Sequence, residues 1–392
     1  MSKCENKFKE IYKKEPQSVA FCPYRICPIG AHSDHQLGVC SGFAIDKGIR
    51  IAFAPKQNGI VELCSLQFNK RAQWHVRAVP EKKCGDWADY LRGATVELSK
   101  YYPNLSVGIS GVIDGDLKIG GLSSSAAVTF SFLKALCTVN GIHLEDKDAI
   151  NIAKDAENRY VGVQCGKLDQ SCETLSRSGH LLFIDTLDDS HENIACPDSA
   201  KPFAFAIIFS GLERALAGSA YNMRVDECRS AAYALKAFAG MEYGKFEECN
   251  MREVPEETYL ELKDRLPQPW RMRAEHWYGE QRRVRLGVEA WRKGDIEEFG
   301  RLCSESGRSS IENWQAGSPE LIALYEIIRS TEGVYGGRFS GAGFKGNCIA
   351  LIDPARMESI ERQIRDAYCK KFPALADKFN FTICKSVDGI KI

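Results

Sequence analysis

The feature that most constrains this chain is a glycine- and serine-rich segment, residues 118–128 (KIGGLSSSAAV), which runs directly into an apolar helical pattern ending at Gly141. Gly120 and Gly121 let the backbone come close to a ligand because glycine has no Cβ atom. The serines stand at a predicted helix N-terminus, where unpaired amides and the helix dipole favour an anion. The segment therefore predicts a phosphate-binding loop, although an ordinary serine N-cap has the same pattern.

A second group of polar residues lies near the start of the chain, where residues 18–35 (SVAFCPYRICPIGAHSDH) have the pattern of a strand entering a loop. Within eleven residues this loop places Arg25, His32, Asp34 and His35. Such a density of donors and acceptors can recognise neighbouring hydroxyl groups and supply a fixed cation. A solvated turn would have the same composition, so both interpretations stay open at this point.

Two carboxylates follow the glycine-serine segment. The periodicity predicts a helix from about residue 146 to 160, and Glu157 near its end lies twelve residues before Asp169. The two side chains can converge if the next element turns back toward the helix. Isolated acids are usually solvated, but beside a phosphate loop such a pair can supply a metal ligand and a general base.

Two further segments carry weaker signals. Trp87 and Tyr90 have helical spacing within residues 86–96, which is more often typical of core packing than of stacking on a ligand. A second glycine-rich element, residues 333–352, has six glycines in its first fourteen residues. A tight turn between strands needs fewer, so we expect this backbone to approach a ligand or the first loop closely.

The length of 392 residues predicts two domains or one two-lobed enzyme. The polar run 188–193 and the prolines at 197 and 202 mark the boundary, after which residues 203–209 (FAFAIIF) predict a buried central strand. Residues 43–53 and 60–63 predict consecutive hairpin strands with turns at 46–48 and 57–59. Further helices are predicted at residues 221–238, 255–264, 271–293, 296–306, 319–329 and 354–368, and further strands at 181–185 and 379–384.

The amino-acid composition argues against several classes of binding partner. The 52 lysine and arginine residues equal the 52 aspartate and glutamate residues, so no global field favours nucleic acid or an anionic membrane. The N-terminal residues are polar and no long apolar run occurs, which predicts a soluble, cytoplasmic protein. The sixteen cysteines include no Cys-x-x-Cys pair, so we expect reduced, buried thiols rather than a zinc site.

Three motifs in fixed order resemble those of the GHMP kinases, the superfamily of galactokinase, homoserine kinase, mevalonate kinase and phosphomevalonate kinase. The pattern Arg-x-x-x-x-Gly-Glu-His-x-Asp corresponds to residues 25–34 (RICPIGAHSD), and the Gly-Leu-Ser-Ser-Ser-Ala loop corresponds to residues 121–126. The Gly-Gly-Gly-Phe-Gly-Gly motif corresponds to residues 341–346 (GAGFKG). Residues 166–170 (GKLDQ) and 217–222 (AGSAYN) resemble the galactokinase branch, and the match spans nearly the whole chain.

This resemblance implies an α+β fold with a ribosomal-protein-S5-like N-terminal lobe, residues 1–198, and a ferredoxin-like C-terminal lobe, residues 199–392. It also implies ATP and Mg²⁺ as cofactors, a small sugar as acceptor, and neither nucleic acid nor membrane as partner. The oligomeric state stays open.

The resemblance assigns roles residue by residue. Asp169 would be the base at the sugar C1 hydroxyl, and Arg25 would stabilise both Asp169 and the transferring phosphoryl group. Ser125 and Glu157 would hold Mg²⁺. The residues that would contact the ATP phosphates are Gly120, Gly121, Leu122, Ser123, Ser124 and Ser125, with Trp87 and Tyr90 at adenine. The residues that would contact the sugar are Ala31, His32, Asp34, Gly166 and Tyr221.

Within the branch, residues 23–35, 209–212 and 339–344 resemble plant-type galacturonokinases. Ala31 stands where galactokinases carry a glutamate that contacts the sugar C6 hydroxyl. A glutamate would repel a C6 carboxylate, since like charges about 4 Å apart cost on the order of 1 to 4 kcal/mol. The resemblance therefore implies phosphorylation of D-galacturonate, with galactokinase activity or a non-catalytic sugar-binding regulator as alternatives. Lys167 and Arg214 are the cations near these motifs that could meet the carboxylate.

Overall fold

Two β-sheets, each covered by helices, form the framework of the chain. The computed structural model describes residues 2–118, 120–213 and 219–392. In chain order, the strands of the described residues are β1 (Ser18–Ile26), β2 (Val39–Lys56), β3 (Ile60–Ser65), β4 (Lys70–His75), β5 (Gly108–Gly115), β6 (His180–Asp185), β7 (Ser190–Ala195), β8 (Ala204–Phe209), β9 (Val334–Phe339), β10 (Asn347–Ile352), β11 (Asn380–Cys384) and β12 (Ser386–Val387). The α-helices are α1 (Lys3–Tyr12), α2 (Asp89–Tyr101), α3 (Ser124–Asn140), α4 (Asp146–Asp155), α5 (Leu168–Leu175), α6 (Ser219–Phe238), α7 (Glu256–Leu262), α8 (Gln268–Arg292), α9 (Ile296–Glu312), α10 (Pro319–Ser330) and α11 (Met357–Lys371).

The long strand β2 organises the N-terminal sheet, because it pairs with β1, β5, β6 and β12 along its eighteen residues. The hairpin turn predicted at residues 46–48 is wrong, since β2 continues through this segment. The register of β1 against β2 shifts here, with Pro23 opposite Gly48 and Tyr24 opposite Ile45. Proline cannot donate to the ladder, and a Cβ on Gly48 would lie 2.0 Å from the Cys22 carbonyl oxygen. The Asp-Lys-Gly sequence thus serves a bulge rather than a turn.

The second predicted hairpin is also wrong in its pairing. A turn does occur at residues 57–59, but β5 lies between β2 and β3 and pairs in parallel with β3. The strand that separates them follows α2 in the chain, so turn residues between β2 and β3 could not reveal it.

The C-terminal sheet has the order β11-β8-β10-β9, with antiparallel pairs throughout. This confirms that residues 203–209 contribute a central strand. The predicted helices are present, with α9 extending to Glu312 and the helix at 146–160 divided into α4 and a π-helical turn, Ala156–Val161. The described residues include no helix long and apolar enough to cross a membrane.

Helix α8 joins the two lobes. This helix belongs to the C-terminal half of the chain, but it forms hydrogen bonds with the N-terminal half. Gln281 Oε1 accepts from the Val39 amide at 2.7 Å, and Trp291 Nε1 donates to the Ile194 carbonyl at 3.0 Å. Twelve of the sixteen free cysteines are buried in the cores. The division of the chain at residues 198 and 199 stays a prediction, and the last described residues lie against the N-terminal sheet.

Candidate active site

A cavity of about 460 Å³ lies where the two glycine-rich segments meet. Residues of the N-terminal lobe line most of it, and Tyr221, Gly341 and Ala342 line it from the C-terminal half. The sequence-predicted site residues that line the cavity are Arg25, Ala31, His32, Asp34, Trp87, Tyr90, Gly120, Gly121, Ser123, Ser124, Ser125, Glu157, Gly166, Asp169 and Tyr221. Leu122 is the exception among the predicted residues, because its side chain is buried in the core behind the loop.

The first glycine-rich loop is fixed through its carbonyl groups. The Gly120 oxygen accepts the Asn347 amide at 3.2 Å and the Asn347 side chain, and the Gly121 oxygen accepts the Ser340 hydroxyl at 2.5 Å. A Cβ on Gly120 would lie 2.6 Å from the Cα of Gly346. The expected close approach of the second glycine-rich segment to the first is therefore confirmed. With its carbonyls engaged, the loop leads into the N-terminus of α3, where backbone amides favour an anion.

Asp169 and Arg25 form an ion pair in the lining of the cavity, in which Arg25 is buried and the Asp169 side chain is 31% exposed. Arg25 donates to Asp169 Oδ1 from Nε at 2.7 Å and lies 2.6 Å from it through Nη2, while Nη1 donates to the Gly121 carbonyl at 3.0 Å. Burial disfavours the charged guanidinium, but the carboxylate of Asp169 outweighs this and raises the pKa of Arg25. Arg25 therefore remains a cation that links Asp169 to the first glycine-rich loop.

Asp34 is the second acid, and its environment differs. Its Oδ2 accepts the Leu168 amide at 3.0 Å, and the described residues place no lysine or arginine in an ion pair with it. Burial raises the pKa of Asp34 to about 6, although the Leu168 amide opposes the shift. A Cβ on Gly166 would lie 2.4 Å from the Asp34 carboxyl carbon, so only glycine allows this approach.

Aromatic side chains pack around His32, which lies in the polar loop that follows β1. The His32 ring stacks on Trp314 with 4.7 Å between centroids, and Tyr221 lies 6.2 Å from the same histidine. Within the described part of the chain, the buried His32 Nε2 has no hydrogen-bond partner, and burial lowers the pKa of this imidazole. Nε2 of His276 donates to the Ala31 carbonyl at 3.0 Å and fixes the backbone there. Sequence reasoning missed His276, which lies within a long helical pattern typical of core, and Trp314, which follows the end of α9 and belongs to no motif.

Glu157 lies in the π-helical turn that follows α4, a distortion frequent at functional sites. Its carboxylate is buried, accepts from Gln170 Nε2 at 3.3 Å, and lines the cavity together with Ser125. Within the described ranges no group of three or more histidine, cysteine, aspartate or glutamate side chains could hold a metal ion. One carboxylate and one hydroxyl fit a Mg²⁺ ion that takes its other ligands from water and phosphate.

The far end of the cavity is aromatic. Phe68 and Trp87 lie nearly parallel, with 6.3 Å between ring centroids and 15° between planes, and Tyr90 lines the wall beside them. Phe68 was missed in the sequence because it follows a short strand and has no motif around it. Its exposure of 41%, unusual for phenylalanine, is the signal that the structure adds.

Three segments of the sequence match known protein families. Residues 89–177 match the GHMP kinases N terminal domain, residues 288–370 match the GHMP kinases C terminal domain, and residues 6–55 match the galactokinase galactose-binding signature. A protein of Arabidopsis thaliana named galacturonokinase is 39% identical over 95% of this chain and 93% of its own. The chain belongs to the GHMP kinase family.

Other members agree with this assignment. A galactokinase of Roseiflexus is 31% identical over 98% of this chain and 95% of its own length. The crystal structure of Lactococcus lactis galactokinase complexed with galactose superposes with a TM-score of 0.88 at 24% identity, over 99% of this chain and 98% of that one. The predicted two-lobed GHMP kinase fold is thereby confirmed. The chain is a sugar kinase of the galactokinase and galacturonokinase type.

Lys167 and Arg214 are the two cations that the sequence offered as partners for a sugar carboxylate. Lys167 Nζ forms hydrogen bonds of 2.7 Å to both carboxylate oxygens of Asp189 and does not line the cavity. Arg214 lies outside the described residues, as do Ala217 and Gly218 of the 217–222 motif, whereas Tyr221 of that motif lines the cavity.

Proposed function

We propose that this kinase transfers the γ-phosphoryl group of ATP to the anomeric hydroxyl of D-galacturonate, giving galacturonate 1-phosphate and ADP. The observation that carries the proposal is Ala31, a small neutral residue on the cavity wall where the galactokinase pattern has glutamate. The Arabidopsis galacturonokinase, at 39% identity over nearly the full length, supports the same substrate.

The acid and the arginine suit phosphoryl transfer. The sugar O1 forms a bond to the γ-phosphorus, the bond from that phosphorus to the ADP oxygen breaks, and the hydroxyl proton passes to Asp169. Arg25 holds Asp169 in place and brings positive charge to the phosphoryl group from the side of the loop. A rigid pair of this kind lowers the barrier by orientation and electrostatic stabilisation.

The nucleotide occupies the remainder of the cavity in this proposal. Residues 120–125 and the N-terminus of α3 bind the phosphates, and the parallel rings of Phe68 and Trp87 bind the base. Ser125 and Glu157 would hold Mg²⁺, which would supply positive charge to offset that of the triphosphate.

A C6 carboxylate would find a neutral donor beside Ala31. His32 Nε2 is buried and has no hydrogen-bond partner among the residues that the structure describes, and its ring stacks on Trp314. An imidazole N–H can donate to a carboxylate without a neighbouring cation. A glutamate at position 31 would place a like charge in the same space.

Comparison of turnover on galacturonate, glucuronate and galactose tests the substrate. We expect the wild type to have its highest kcat/KM with galacturonate. Ala31→Glu should lower that value by roughly 5-fold to several hundred-fold, since 1 to 4 kcal/mol of repulsion is added, and should affect galactose less. Ala31→Ser, which adds a polar atom without charge, is the matched control. A wild type that strongly prefers galactose would contradict the proposal.

Galactokinase activity is the second candidate, favoured by the match to the galactose-binding signature and by the Roseiflexus relative. The same assay separates the two. A galactokinase would keep its galactose turnover above that with either uronic acid, and Ala31→Glu would then raise it.

A further inference from the structure

The last described residues of the chain return from the C-terminal sheet to the N-terminal lobe. After β11 the Lys385 carbonyl accepts the Asp46 amide at 2.9 Å, and β12 pairs with residues 44 and 45 of β2. Ile390 and Ile392 are buried in the core of the N-terminal lobe. We refer to residues 386–392 as the returning segment.

The returning segment caps the C-terminal end of α5. The Ile390 amide donates to the Glu173 carbonyl at 2.8 Å, the Gly389 amide to the Ser176 carbonyl at 2.9 Å, and Lys391 Nζ to the Thr174 carbonyl at 3.2 Å. The last carbonyls of a helix have no partner within it and require one elsewhere. Here the partners come from a segment more than two hundred residues later in the sequence.

Gly389 makes this contact possible. A Cβ atom at this position would lie 2.4 Å from the Thr174 carbonyl oxygen and 2.8 Å from that of Glu173. These clashing atoms belong to the helix backbone and not to a flexible side chain, so a methyl group would force the returning segment away from the helix end.

Helix α5 needs such support because it has eight residues, fewer than an isolated helix requires for stability. Asp169 is its second residue, and the Arg25 guanidinium holds that side chain at the N-terminal end. The helix is thus fixed at one end by Arg25 and at the other by the returning segment.

We propose that the returning segment is a positioning element for Asp169, acting through α5. No residue of the returning segment lines the cavity, and none is among the predicted substrate-binding residues. The proposal rests on the proposed function, in which Asp169 receives the proton of the sugar hydroxyl.

Gly389→Ala tests the proposal. We expect kcat to fall at least about 10-fold, since small displacements of a reacting group are costly, while KM for ATP and for sugar changes less than about 2-fold. Lys391→Ala, which removes the hydrogen bond to Thr174 and the ion pair with Asp146 but leaves the backbone contacts of Gly389 and Ile390, should lower kcat less. Lys385→Ala is the matched control, because it removes the same charge from an exposed side chain with no contact to α5, and should leave turnover unchanged.

A double-mutant cycle separates positioning from general loss of structure. In an Asp169→Asn background, single-turnover measurement should show that Gly389→Ala has little further effect, because the group that it displaces is already inactive. An equal loss in both backgrounds would overturn the proposal, as would an unchanged kcat in Gly389→Ala. If Gly389→Ala fails to fold, Lys391→Ala carries the same cycle. A wild type without sugar kinase activity would instead contradict the proposed function.

Discussion

Asp169 and Asp34 are two carboxyl groups in one cavity with different environments. Arg25 donates to Asp169 and forms an ion pair with it, whereas Asp34 is buried with a backbone amide as its partner. Surroundings that distinguish two acids in this way commonly separate a proton acceptor from a group that binds substrate. This difference supports the proposal that Asp169 takes the proton and that Asp34 contacts the sugar.

Asp169→Asn should separate binding from chemistry. The amide keeps the shape of the side chain but cannot take the hydroxyl proton, so turnover should fall roughly 100-fold or more. ATP and sugar should still bind with near-normal affinity. Coupled ADP release would measure turnover, and calorimetry would measure binding. Near wild-type turnover in this variant would leave Arg25 and the metal as the main catalytic groups.

Asp34 should make stability depend on pH. Its pKa of about 6 in the folded protein lies above the ordinary value of 3.8, so the folded state binds the proton more tightly than the unfolded state. This contribution to stability is present below about pH 4 and is lost as pH rises to about 6.

Asp34→Asn keeps the side chain neutral at every pH. At pH 7 the ligand-free variant should be more stable than the wild type by up to about 3 kcal/mol, and near pH 4 the two should be alike. Urea unfolding at both pH values provides the measurement. A difference that is the same at both would show that the charge of Asp34 does not matter.

At the scale of single elements, the start of α2 determines where Trp87 lies. Asp89, 3% exposed, accepts the amides of Cys84, Gly85 and Asp86 at 2.9, 2.7 and 3.3 Å. Arg92 donates to both Asp89 and Asp86 from one turn further along the helix. The loop that carries Trp87 is therefore held in shape by the helix that follows it.

Asp89→Asn should loosen that loop, because an amide side chain accepts fewer hydrogen bonds than a carboxylate. We expect KM for ATP to rise about 10-fold, with KM for the sugar and kcat changed much less. Glu81→Gln, at an exposed position of the same loop, is the control. If KM for the sugar rose equally, the effect would be a general loss of structure.

The individual elements also show how much of the structure could be predicted from the sequence alone. Arg25, Asp169 and Glu157 each stand in a local pattern with fixed spacing, and the structure brings all three to the lining of one cavity; their roles stay predictions. The pairing of β3 with β5 was missed because the partner strand follows a helix. Trp314 was missed for a similar reason, since the contact that gives it a role joins it to His32, almost three hundred residues earlier. Contacts between distant segments leave no local signal when one sequence is read by itself.

At the scale of the whole molecule, the cavity carries more negative than positive charge although the chain is neutral overall. Among the described residues that line it, four are acidic (Asp34, Asp86, Glu157 and Asp169) and two are basic (Arg25 and Lys70). A triphosphate entering this cavity meets like charge unless a divalent cation accompanies it. We therefore expect ATP to bind with Mg²⁺ and to bind poorly in the presence of EDTA.

Glu157→Gln distinguishes a metal ligand from a mere negative charge, because the two roles predict opposite signs. If Glu157 holds Mg²⁺, the variant should need several-fold more Mg²⁺ for half-maximal ATP binding and should have a lower kcat, while binding of metal-free ATP should not weaken. If Glu157 supplies only charge, its neutralisation should tighten ATP binding with and without the metal. Calorimetric titration of ATP at graded Mg²⁺ concentrations and in EDTA measures both. Asp155→Asn, two residues earlier and outside the cavity lining, controls for the loss of one charge from this part of the chain. If Glu157→Gln alone binds ATP more tightly both with Mg²⁺ and in EDTA, Glu157 is not a metal ligand.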